Sequence, residues 1–151
     1  MSTLTLQHAT SEDLQGIIEV WRTSFNSPIL DKVFPDTPVI NAFIMDHFRK
    51  AALEDEGTTV LVVKDETGRV AGFAKYDFEG GADEDDGKMK KRNGVVTWQS
   101  RWNDGVLAEG MDEQAMADFL EPLMRQHEVV VKGRPHMSMS SKYILFISLI
   151  V

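Results

Sequence analysis

Residues Thr58 to Tyr76 admit one local structure. Thr58 to Lys64 (TTVLVVK) is dominated by β-branched residues, and Arg69 to Tyr76 (RVAGFAKY), with Val70, Phe73 and Tyr76, reads as a second strand. Between them lies Asp65-Glu66-Thr67-Gly68, in which Asp can bond its own backbone and Gly can adopt a positive φ. Two such runs joined by such a turn predict a β-hairpin, and everything else in the chain has to pack around it.

Upstream, Leu4 to His8 alternates apolar and polar residues, as a short half-buried strand would. Thr10-Ser11-Glu12-Asp13 follows, with a capping hydroxyl at Thr10 and an acid three residues on, near the positive end of a helix. Leu14, Ile17, Ile18, Trp21 and Phe25 then recur at helical spacing, which predicts a helix from about Ser11 to Phe25 with that stripe in the core. Asn26 to Asp36, with Pro28 and Pro35, reads as irregular. Thr37-Pro38 starts another helix, whose face of Ile40, Phe43, Ile44, His47, Phe48 and Ala51 continues to about Glu54, just before Gly57.

Downstream of the hairpin, Glu79 to Asn93 (EGGADEDDGKMKKRN) is charged and almost devoid of apolar residues, so it reads as a loop. Val95 to Trp102 is short and aromatic. Asp112 opens a third helical pattern carrying Ala115, Met116, Phe119, Leu120, Leu123, Met124 and His127. Pro122 inside it is expected to kink or split the helix. Gly133-Arg134-Pro135-His136 closes the pattern, and Tyr143 to Val151 (YILFISLIV) reads as a buried strand. The order strand, helix, helix, hairpin, loop, helix, strand predicts an α/β domain of the α+β type, a mixed sheet with helices on its faces. There is no internal repeat and no linker.

Composition narrows the function classes. The 151 residues carry 24 acidic and 16 basic side chains, a net charge of -8, against nucleic-acid binding and against adhesion to anionic membranes. Without cysteine there is no disulfide, thiolate metal site or Cys nucleophile. The N-terminus has no basic segment followed by an apolar run, so no secretory signal is expected. The longest apolar run, Tyr143 to Val151, is far below the roughly 20 residues that span a bilayer as a helix. A cytoplasmic protein, with the nucleus as the alternative, is the expectation.

Four strings carry a family resemblance: LTLQHATSEDLQGIIEVWRTSF from Leu4, KVFPDTP from Lys32, VLVVKDETGRVAGFAKY from Val60, and the helix closing in GRPH at His136. Over about residues 4 to 136 they resemble a fungal-type branch of the GNAT N-acetyltransferases, departing at Gln7, where that branch often has Arg. The resemblance implies a GNAT-like acyl-CoA N-acyltransferase fold and acetyl transfer from acetyl-CoA, as co-substrate, to a small-molecule or peptide amine. It implies no metal. In that family GRPH leads directly into a fourth strand, then into a Q/R-x-x-G-x-G/A loop opening a helix. Backbone amides of such a loop hold the pyrophosphate of acetyl-CoA.

Here His136 is followed by MSMSSKYILFISLIV, and no such loop occurs. Residues 1–136 are therefore expected to form the N-terminal part of the domain. Residues 137–151 are a divergent apolar segment, read as an aberrant end, with Tyr143 to Val151 as a candidate for the fourth-strand position. A sheet closed in that way would leave an apolar edge, through which the chain could form a homodimer. Arg69-Val70-Ala71-Gly72-Phe73-Ala74 fits the loop pattern but sits within a strand and opens no helix, so it is set aside. A non-catalytic remnant is the alternative expectation; an unrelated α+β binding module is a third.

No catalytic residue is assigned from the sequence. His8, His47, His127 and His136 show no ligand spacing, His47 reads as a core or boundary histidine, and His136 as a turn or C-cap residue. Starting at Asp83, a calcium-loop pattern fails at Gly87, its fifth position. Lys88 to Arg92 reads as one half of a charge-balanced surface loop. Trp21 belongs to the first core stripe. Because the first helices and their connection wall the acceptor site in GNAT folds, the resemblance makes Phe25, Phe34 and Trp102 candidate substrate-site residues, with core packing as the plainer alternative for each.

Overall fold

The β2–β3 hairpin is the centre of the molecule. The computed structural model describes residues 3–25, 27–79, 106–131 and 136–138. Strand β2 (Thr58–Lys64) pairs antiparallel with β3 (Val70–Glu79), three residues longer at its C-terminal end than its sequence pattern suggested. The turn forms as its residues demand: Gly68 has φ 81°, and Gly68 N–H donates to the Asp65 carbonyl at 2.9 Å. Asp65 Oδ1 accepts from the Thr67 hydroxyl at 2.6 Å, from Thr67 N–H at 2.9 Å and from Arg69 N–H at 3.1 Å. Val63 faces Gly72 and Lys64 faces Val70, so Ala71 is an extra residue, a bulge in β3.

Strand β1 (Thr5–His8) adds to β2, and β4 (His136–Ser138) adds to β3, giving an antiparallel sheet of order β1-β2-β3-β4. The described sheet is therefore wholly antiparallel, not mixed, in an α+β arrangement. One further expectation is corrected here. His136 lies in a strand, paired opposite Glu79, and is neither a turn nor a helix-cap residue. The strand next to β3 begins at His136, the last residue of the GRPH string; Tyr143 to Val151, Val95 to Trp102 and the loop after Glu79 lie outside the described residues.

Helix α1 (Leu14–Ser24) follows a 3-10 turn at Ser11–Asp13. The Asp13 carboxylate accepts from Thr10 N–H and from the Thr10 hydroxyl, each at 2.9 Å, and meets Lys64 Nζ of β2 at 2.5 Å. Burial pushes the Asp13 pKa up, but the bonds from Lys64 and Thr10 outweigh it and leave the group below its ordinary value. The start of α1 is thereby fastened to the end of β2.

The stretch expected to be irregular contains a helix, α2 (Pro28–Val33). Ser27 Oγ accepts from Leu30 N–H at 3.4 Å and Pro28 occupies the first turn, the same Ser/Thr-Pro device that opens α3 (Pro38–Leu53) at Thr37. Six residues are too few to show a helical period, which is why the pattern was silent there. Helix α4 (Glu113–Val131) runs through Pro122 without splitting. Pro122 is exposed, so the Asp118 carbonyl that loses its helical donor can bond water instead.

The core lies between one face of the sheet and the helices. Val60, Val62, Val70 and Phe73 meet Ile17, Ile18 and Trp21 of α1 and Ile40, Ile44, Phe48 and Ala51 of α3, all buried. Phe48 and Phe73 meet edge to face at 5.2 Å, tying α3 to β3. Ala115 and Met116 bring the start of α4 into the same cluster. No helix among the described residues is long and apolar enough to cross a membrane.

Candidate functional site

Two places combine chemistry with a built environment: an aromatic corner where α1, α2 and α3 meet, and a buried charged cluster beneath α3.

The corner is made by the stripe that ends α1. Trp21 is buried, with Phe34 edge-on at 5.2 Å and Phe25 tilted at 5.5 Å. Phe25 caps α1 and is half-buried, whereas Phe34 caps α2 and is only 1% exposed. The two residues named from the family resemblance are thus brought together around Trp21, but Phe34 is a core residue with no open face to offer a substrate. Trp102, the third, lies outside the described residues. Trp21 Nε1 is, among the described residues, the one buried side-chain nitrogen or oxygen without a hydrogen-bond partner. An unmet donor of that kind costs on the order of 1–3 kcal/mol.

Arg22, the neighbour of Trp21, locks this corner. Its Nη1 donates to the Phe34 carbonyl at 2.5 Å and its Nη2 to the Pro35 carbonyl at 3.1 Å. Nε and Nη2 both reach Asn41 Oδ1 of α3, at 2.9 and 2.6 Å, and Asp36 stands 3.9 Å away. The FPDTP string is distinctive because this fork holds it: two carbonyls turn toward α1, while Thr37 caps α3.

The second cluster was not found from the sequence. Lys75 Nζ donates to both carboxylate oxygens of Asp77, at 2.8 and 2.9 Å, and both side chains are nearly buried. The Thr58 hydroxyl lies 2.8 Å from Asp77 Oδ1 and 2.9 Å from Asp55 Oδ2. A hydroxyl has one proton, so it serves one carboxylate at a time. The signal was available: Phe73, Lys75 and Asp77 occupy one face of β3, and that face turns from apolar to charged along the strand. Ending the strand at Tyr76 hid it.

His47 of α3 stands over the same region, its ring 5.6 Å from Phe48. Burial, then the charge of Lys75, pushes its pKa down to about 3. It is therefore neutral at physiological pH and far too weak a base to draw a proton from an amine there, since a useful general base titrates near the working pH. The boundary-histidine reading fits this environment. Among the described residues, no three His, Asp or Glu side chains converge as a metal site would require. Comparison of the chain with protein-family models, with curated proteins and with solved structures finds no match.

Proposed function

We propose that the chain carries the N-terminal part of a GNAT-type N-acetyltransferase domain, the fold that moves acetyl from acetyl-CoA to an amine. The observation that carries the proposal is the order and pairing of the elements. A strand, helices and a hairpin precede α4, and an antiparallel fourth strand starts at His136, the last residue of the GRPH string. That is where the resemblance puts the strand that leads to the phosphate loop. In this reading the small-molecule or peptide amine is received near the α1–α2 corner, with Phe25 as the partly open aromatic there and Trp102 as a further candidate. The compartment is the cytoplasm or the nucleus.

A second reading is favoured by one sequence fact: no Q/R-x-x-G-x-G/A string follows β4 within these 151 residues. Without those amides the pyrophosphate has no cradle. In this reading the 151 residues carry the front of the fold without its phosphate cradle.

A thermal melt of the full chain with and without acetyl-CoA separates the two. A ligand that binds only the folded state, at about 100 times its Kd, adds roughly 2.7 kcal/mol, a shift of several degrees in a domain of this size. A rise of that order supports the transferase. A cooperative melt unmoved by acetyl-CoA supports the non-catalytic remnant.

A further inference from the structure

Strand β1 ends the sheet among the described residues, and its outward edge is exposed. Its pairing fixes which groups lie there. Ala9 N–H donates to the Val60 carbonyl at 2.9 Å, and antiparallel bonding alternates, so Gln7 and Thr5 also bond inward to β2. Leu6 and His8 therefore turn their N–H and C=O groups away from the sheet.

Edge strands are ordinarily guarded by charge, proline, bulges or a covering element. This one has none of the first three. Leu4 to Thr10 reads LTLQHAT, without Asp, Glu, Lys, Arg or proline, and the β1–β2 register is unbroken. Leu6 is 65% exposed and Leu4 42%. The pairing Leu6–Val63–Gly72 and His8–Leu61–Ala74 puts these residues on the sheet face opposite the α1 and α3 helices. None of these six positions is Asp, Glu, Lys or Arg, in a chain of net charge -8.

We infer that β1 pairs antiparallel with β1 of a second copy, about a twofold axis, joining two four-stranded sheets into one. A second copy is the occupant that fits. The strand is its own complement in length, polarity and charge, and an isologous contact needs only one surface. Leu6 side chains would then extend that face across the junction. This inference is independent of the acetyltransferase proposal, and acetyl-CoA plays no part in it.

The test is sedimentation of the full chain over a range of concentrations, with backbone hydrogen exchange measured at the dilute and concentrated ends. Expected is a shift from 17.0 kDa toward twice that mass, strengthened by salt, which screens like charges. Exchange at the Leu6 and His8 amides should slow as the dimer forms. Leu6→Asp, which adds a carboxylate at the edge, and Leu6→Pro, which removes an outward donor, should both remain near 17.0 kDa. A single 17.0 kDa species throughout would overturn the inference. So would a dimer that leaves the two amides unprotected, or one that persists in both variants.

Discussion

Gly16 of α1 lies directly against Val70 of β3: a Cβ at position 16 would stand 2.7 Å from Val70 Cγ2 and 2.8 Å from Val70 Cβ. The glycine is in the helix because the strand comes too close for any side chain. Gly16→Ala is expected to destabilise the domain by about 1–3 kcal/mol from overpacking, despite the gain of roughly 1 kcal/mol that alanine brings to an ordinary helix position. Val70→Gly, which removes both atoms in the way, should cost stability alone yet relieve the Gly16→Ala variant. A double-mutant cycle by urea denaturation would read that coupling, and strictly additive values would show the contact to be unimportant.

Removing one partner of the Lys75–Asp77 pair strands the other in a dry place. Asp77→Asn and Lys75→Met are each expected to lose about 3–5 kcal/mol, and the double variant less than their sum. Denaturant midpoints of the three variants test this.

The pH response has a definite sign. Unfolded, His47 takes up a proton below about pH 6.5; folded, it does so only near pH 3. Between these values the unfolded state binds the extra proton, so stability falls as the pH falls, by at most about 1.4 kcal/mol per pH unit from this residue. Asp13 works in the same direction lower down: its depressed pKa adds stability above the ordinary carboxylate range that disappears as pH drops through the folded value. His47→Gln should flatten the slope between pH 6 and 4, a change that melts across that interval would detect.

Arg22→Lys retains the charge and loses the fork. The Phe34 and Pro35 carbonyls and Asn41 cannot all be reached by one ammonium, so a loss of about 1.5–3 kcal/mol is expected. Trp21 is buried beside this residue, and its fluorescence should report a loosened corner before global unfolding.

Much of this was readable from residue patterns. The hairpin, α1 and α3 declared themselves because long apolar stripes and Thr-Pro or Asp-x-x-Gly signals agree with one another there. Helix α2 escaped because its stabilisation is a cap and two core side chains, Leu30 and Val33, with no period to detect. Pro122 does not split its helix because a proline on an exposed helix face removes one hydrogen bond and leaves the rest of the ladder. For the candidate site, Phe25 and Phe34 both pack against Trp21, and the burial of Phe34 follows the core-packing alternative held for it from the sequence. The Lys75–Asp77 pair is local, two residues apart on one face of β3, and was missed because the strand was ended at Tyr76; only the Thr58 bond to it, from across the ladder, is long-range.

The extra residue at Ala71 splits β3 into two phases. Phe73, Lys75 and Asp77 face the helices on odd numbers, yet Val70, an even one, is buried on that same face opposite Lys64. The strand thus carries two alternating frames joined at one position. Losing a single residue there would merge the frames without turning any core side chain outward, whereas the same loss two or three residues further along would invert part of the strand. Ala71 is therefore the place in the hairpin where the chain can change its length and keep its fold.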